Sequence, residues 1–86
     1  MFVILAYDIN KKRVAKVLRI CRKYLVRVQN SSFEGTITES GLRRLQRELK
    51  NAIVPEEDTV VIYELDSCKY VYKYEIGIQE ENSSVI

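Results

Sequence analysis

A chain of 86 residues with 47% hydrophobic and 30% charged side chains, three glycines and one proline makes one ordinary folded domain, small enough that self-association is expected to supplement its core. Its net charge of +2 hides a division: residues 1–53 hold twelve basic and four acidic groups, and residues 54–86 two basic and eight acidic ones, which argues for a polyanion footprint on one part of the surface. The absence of histidine excludes proton transfer by an unperturbed imidazole, and two isolated cysteines, Cys21 and Cys68, cannot build a zinc site. The apolar opening is too short to span a bilayer and lacks a signal-peptide leader, so the expected location is cytoplasmic, with no membrane partner.

Residues 2–8 form a continuous apolar run of strand length, expected to be a central strand buried on both faces. From about 11 to 24, Val14, Val17, Leu18, Cys21 and Leu25 recur at helical spacing, with Lys12, Lys16, Arg19 and Lys23 on the other side. Asp8 or Asn10 can cap this helix by accepting from its first free backbone amides. Residues 26–37 alternate as extended structure, interrupted by Asn30, Ser31 and Ser32; a short hairpin is expected, with one bent strand as the alternative. A second helix over about 38–52 puts Leu42, Leu45, Leu49 and Ile53 inward and Arg43, Arg44, Arg47 and Lys50 outward. Pro55 and the acidic Glu56, Glu57 and Asp58 break the chain before a strand over 59–65, and Tyr70, Tyr72, Tyr74, Ile76 and Ile78 then alternate as a half-buried strand.

This order predicts an α+β protein, a ferredoxin-like βαββαβ sandwich with an extra C-terminal strand: one domain over 1–78 and a tail over 79–86. Two helices on one side leave the other sheet face bare. With apolar residues of both parities in the first strand and a tyrosine and isoleucine row in the last, such a face would expose a large patch, so a symmetric homodimer is expected, closed by sheet-to-sheet packing or exchange of the C-terminal strand.

Residues 10–33 carry Lys11, Lys12, Arg13, Lys16, Arg19, Arg22, Lys23 and Arg27 with no acidic side chain, a stripe suited to a nucleic-acid backbone rather than to base edges. Lys12, Arg13, Lys16, Arg19 and Lys23 are its candidate binding residues. Asp8, at the carboxyl end of the first strand, is the leading candidate for chemistry. One carboxylate cannot enclose Mg2+, but two copies related by a dimer axis can share an ion whose octahedron is completed by water and phosphate oxygens. From spacing alone Asp8 reads equally as a helix cap, Arg27 as a phosphate ligand or a solvated arginine, Ser31 and Ser32 first as turn residues, and Phe33 as core or dimer packing. Cys21 reads as a buried small hydrophobe.

The opening strand ending in Tyr7-Asp8-Ile9, the basic helix with Arg13, and Arg27-Val28-Gln29-Asn30-Ser31-Ser32-Phe33-Glu34 together resemble the family of the second CRISPR-associated protein, the small subunit of the spacer-acquisition machinery. The resemblance covers nearly the whole chain. It implies a ferredoxin-like homodimer acting as a magnesium-dependent endonuclease on single-stranded RNA or duplex DNA, with Asp8 matching the metal-binding aspartate and Arg27, Ser31 and Phe33 matching positions associated with activity or the dimer interface. It also implies a second role, as a DNA-binding scaffold that bridges CRISPR integrase subunits without cleaving. A toxin-type ribonuclease on the same fold is a further alternative. Asn10 stands where many relatives have another acidic residue, and Leu25-Val26 replaces a frequent glycine-containing turn.

Overall fold

The protein, described by a computed structural model over residues 1–66 and 70–77, is ordered β1 (Phe2–Asp8), α1 (Lys11–Arg22), β2 (Val26–Gln29), β3 (Ser32–Thr36), α2 (Glu39–Ala52), β4 (Thr59–Asp66) and β5 (Tyr70–Gly77). The strands form one antiparallel sheet in the order β2-β3-β1-β4-β5. Its first four strands and two helices make the ferredoxin-like βαββαβ arrangement, and β5 is the additional strand beside β4. The expected tail over 79–86, Ile78 and Cys68 lie outside the described residues.

Both helices cover the same sheet face. Val3 and Leu5 of β1, Phe33 of β3 and Val60 and Ile62 of β4 are buried there in one cluster with Val17, Ile20 and Cys21 of α1 and Leu42, Leu45 and Leu49 of α2. Ile37, Ala52 and Ile53 complete it at the ends of α2. Each helix begins on a side-chain cap: Asn10 accepts from the Lys12 amide at 3.0 Å and Thr38 from the Gly41 amide at 3.0 Å, satisfying first-turn donors. Helix α1 ends at Arg22, short of the expected 24. The amides of Tyr24 and Leu25 both bond the Cys21 carbonyl, so the last turn tightens and Leu25 drops into the core while Tyr24 turns its hydroxyl to Glu48 on α2. The hairpin reading of 26–37 holds, with a register irregularity between Arg27 and Gln29 in β2.

Two expectations about the sheet change. Strand β1 is central but is not buried on both faces: Val3 and Leu5 are fully buried, whereas Ile4 and Ala6 are only half-buried, because no helix among the described residues lies on their side. Tyr74 and Ile76 of the β5 row do not add to that open face: Tyr74 pairs with Ile62 and Ile76 with Val60, which places these two on the helix side, where the Tyr74 hydroxyl donates to Glu64 at 2.8 Å. The apolar part of the open face instead comes from Phe2, Ile4 and Ala6 of β1 with Val61, Tyr63 and Leu65 of β4. Lys73 borders it, its ammonium 5.9 Å from the Tyr63 ring centroid.

Candidate nucleic-acid and metal site

Asp8 closes β1 opposite Thr59, and Asn10 rather than Asp8 caps α1. Local spacing leaves both roles of Asp8 open; the fold gives the cap to a neighbour. The Asp8 carboxylate is exposed and, among the described residues, carries no hydrogen bond or ion pair. It stands at a shallow hollow of about 200 Å3 lined by Ala6, Tyr7, Asp8, Thr59 and Val61, at the end of the open sheet face.

Beside it, the β2–β3 turn is held by two long side chains. Arg27 donates from Nε to the Gln29 carbonyl at 3.2 Å and from Nη2 to the Asn30 carbonyl at 2.9 Å, and the Tyr7 hydroxyl donates to that same Asn30 carbonyl at 3.0 Å. The Tyr7 amide bonds the Ser31 carbonyl at 3.1 Å, fixing Ser31 next to the end of β1. Burial raises the Tyr7 phenol above its ordinary range, with the nearby Arg27 charge opposing. Because its partners are neutral carbonyls, Arg27 is anchored while its charge stays uncompensated. Asp8 and Ser31 thus lie at one end of the sheet, while Arg27, paired with the buried Phe33, starts from the helix side and reaches the turn at that end through the Asn30 carbonyl. Phe33 does not join them: it pairs with Leu5 on one side and Arg27 on the other, its side chain is completely buried under the helices, and its ring lies 6.2 Å from that of Tyr7.

The five basic candidates divide. Lys12, Lys16 and Arg19 are exposed along α1, with no carboxylate partner among the described residues. Lys16, Arg19 and Lys23 border a hollow of about 330 Å3 floored by Ile20. Lys23, however, pairs with Glu48 of α2, which also accepts from Tyr24. Arg13 turns away from the stripe: Nε lies 2.6 Å from Asp58 and Nη2 lies 2.7 Å from Glu57, so its charge is internally compensated. Arg44 and Arg47 of α2 extend the exposed cationic layer, while Arg43 reaches Glu39 one turn earlier at 3.4 Å. This positive charge is on the helix layer and the Asp8 hollow is on the open sheet face.

Sequence reasoning missed Asp58. It reads in sequence as part of a chain-breaking acidic run, yet it is fully buried, accepting from the Asn10 amide at 2.8 Å, the Val54 amide at 2.9 Å and Arg13. The Arg13 hydrogen bond leads in holding its carboxyl down at about 2 against the opposing effect of burial. A signal was present, since an aspartate just before a strand is a good acceptor for free amides, but its partners are 45 and 48 positions away.

Among the described residues no three His, Cys, Asp or Glu side chains converge as a metal site. Glu57 and Asp58 are already engaged by Arg13 and Asn10, whereas the Asp8 carboxylate at this end of the sheet is not engaged by any described residue. An exposed carboxylate suits Mg2+, which keeps most of its waters and takes one or two carboxylates with phosphate oxygens. No helix among the described residues is long and apolar enough to cross a membrane.

A family model described as CRISPR associated protein Cas2 matches residues 1–72. Two relatives named CRISPR-associated endoribonuclease Cas2 align over the whole chain and 99% of their own length: one from Dictyoglomus turgidum at 42% identity and one from Thermotoga maritima at 41%. The crystal structure of Streptococcus pyogenes Cas2 at pH 6.5 superposes with a TM-score of 0.71 at 31% identity, covering 79% of this chain and 89% of that one. A second crystal structure, of cas2, gives 0.69 at 32% identity and covers 100% and 93%.

Proposed function

The chain belongs to the CRISPR associated protein Cas2 family, and on that footing we propose that it is a magnesium-dependent endonuclease for single-stranded RNA or duplex DNA, assembled as a cytoplasmic homodimer. The observation that carries this reading is the exposed Asp8 carboxylate, left uncompensated at the edge of an apolar sheet face that no described element covers. A second copy on that face would bury Ile4, Ala6, Val61 and Tyr63 against their equivalents and bring a second Asp8 to the site.

In this reading the paired Asp8 side chains would hold the divalent ion, which when bound would supply an activated water at neutral pH and charge neutralisation at the phosphate. Arg27 orients and neutralises the scissile phosphate, with Tyr7 keeping the turn in place and Ser31 available as a hydroxyl donor to a phosphate oxygen. Phe33 supports Tyr7 from the core and takes no part at the phosphate. Asp8→Asn, purified to equal homogeneity with wild type, is expected to lose cleavage of single-stranded RNA and duplex DNA, and chelation is expected to silence wild type. Undiminished cleavage by the mutant overturns the assignment.

The basic helix layer favours a second reading, in which the dimer carries duplex DNA between CRISPR integrase subunits without cutting it. Lys12, Lys16, Arg19, Arg44 and Arg47 lie on the opposite side of the sheet from the Asp8 hollow, so carrying would be separable from cleavage. Charge reversal at Lys12, Lys16 and Arg19 is then expected to weaken duplex binding and flatten the dependence of log affinity on log salt by about one unit for each phosphate no longer neutralised, whereas Asp8→Asn leaves binding intact. An unchanged salt slope removes this surface from consideration.

A further inference from the structure

The turn that follows Asp8 is tied to the side chain of Asp58, on the far side of α2 in the chain. Asp58 immediately precedes Thr59, the strand partner of Asp8, and its carboxylate takes the amide of Asn10, two residues past Asp8. Both sides of Asp8 are therefore tied to one residue. Arg13 locks that residue in turn, donating to Asp58 from Nε at 2.6 Å and from Nη2 at 3.1 Å while reaching Glu57 at 2.7 Å. The Val54 amide takes the remaining acceptor position, and no buried polar side-chain atom among the described residues is left without a partner. A carboxylate withdrawn completely from water is a poor source of net stability, because desolvation offsets most of the attraction. Its hydrogen bonds go to the β1–α1 turn, the first turn of α1 and the start of the α2–β4 connection, not to the centre of the core.

We propose that Asp58, locked by Arg13, is a positioning residue for Asp8: it closes the β1–α1 turn onto the start of β4 and so sets where the Asp8 carboxylate is presented to a divalent cation. The inference rests on the metal-dependent reading of Asp8. Helix α1 carries a second tie, Lys23 and Tyr24 to Glu48, at its far end, which fastens α1 to the body without help from Asp58.

The test uses the full chain and Mn2+ as the probe, followed by paramagnetic broadening of the Asp8 carboxyl carbon signal, with thermal stability measured in parallel. Asp58→Asn is expected to weaken Mn2+ binding at Asp8 about tenfold and to lower kcat with KM held within about twofold, the size typical of lost support behind a metal ligand. Arg13→Lys, which keeps the charge but not the two-nitrogen fork, is expected to lose less affinity than Arg13→Gln. Leu42→Ala, in the core at the opposite end of the sheet, serves as the stability control: a comparable fall in Tm with unchanged Mn2+ affinity is expected. Wild-type affinity in Asp58→Asn, or an equal loss in Leu42→Ala, overturns the proposal. If Asp58→Asn does not fold, the Arg13→Lys and Arg13→Gln pair carries the same test, and equal affinities in the two overturn it. If wild type itself takes up no Mn2+ at Asp8, the metal reading falls instead. The Asp8 carboxyl shift then decides positioning alone, and an unshifted signal in Asp58→Asn and Arg13→Gln overturns it.

Discussion

At the scale of single residues, two arginines of one basic stripe come to opposite ends. Arg13 commits its fork to Asp58 and Glu57, which cancels its charge, while Arg27 is fastened by neutral carbonyls and keeps its charge for an incoming anion. Arg27→Lys is therefore expected to lower cleavage despite the retained charge, since an ammonium cannot reproduce the two carbonyl contacts that fix the group. The Asp58 carboxyl is depressed from its ordinary 3.8 to about 2 by Arg13 and the amides of Asn10 and Val54. A group with a lowered folded-state pKa stabilises the fold above its unfolded value and loses that contribution as pH falls through the folded one. The Tm difference between wild type and Asp58→Asn is thus expected to be full above about pH 4 and to shrink towards pH 2. A difference that is flat over this window would assign the effect to shape rather than charge. Cys21, pushed up to about 12 by burial, is expected to react with thiol reagents only after unfolding.

At the scale of elements, local caps and one close backbone approach fix where segments start and stop. Thr38 caps α2 and Asn10 caps α1, so Thr38→Ala is expected to cost about 1 kcal/mol, read as a Tm decrease of roughly 4–8 °C for a domain of this size. Gly77 at the end of β5 has φ of +115° and lies so close to β4 that an added Cβ would sit 1.9 Å from the Asp58 carbonyl oxygen. Gly77→Ala is expected to open this end of the β4–β5 pair, visible as faster amide exchange at Thr59 and Val60, whose strand partners are Gly77 and Ile76. Periodicity made both helices legible because the buried stripe of α2, Leu42, Leu45 and Leu49, is unbroken. The end of α1 was less legible, since Tyr24 and Leu25 continue the apolar spacing after the backbone has left the helix.

At the scale of the whole molecule, two helices cannot cover both sides of a five-stranded sheet, and the open side carries Phe2, Ile4, Ala6, Val61, Tyr63 and Leu65. The dimer proposed for this face predicts that Val61→Asp, a charge placed on it, shifts the sedimentation mass towards that of a single chain and takes cleavage with it, while the helical circular dichroism remains. A Val61→Asp protein that stays dimeric and active would move the interface elsewhere. The division of charge along the chain becomes a division between layers: exposed cations on the helices, Asp8 by the open face, and part of the acidic segment folded back onto Arg13.

The order of elements, the central place of β1, the faces of both helices and the candidacy of Asp8 and Arg27 were all readable from the chain alone, because they depend on spacings of a few residues, where periodicity, capping and charge act. It took the folded arrangement to establish that Asp8 is free of the cap, that Phe33 is sealed in the core, that Tyr74 and Ile76 of β5 are on the helix side of the sheet, and that Arg13 is neutralised by a buried aspartate. Each of those outcomes depends on register or on contacts across dozens of residues. A shift of one position in strand pairing exchanges the two faces of a sheet, and nothing in local spacing records which partner closes over a charge.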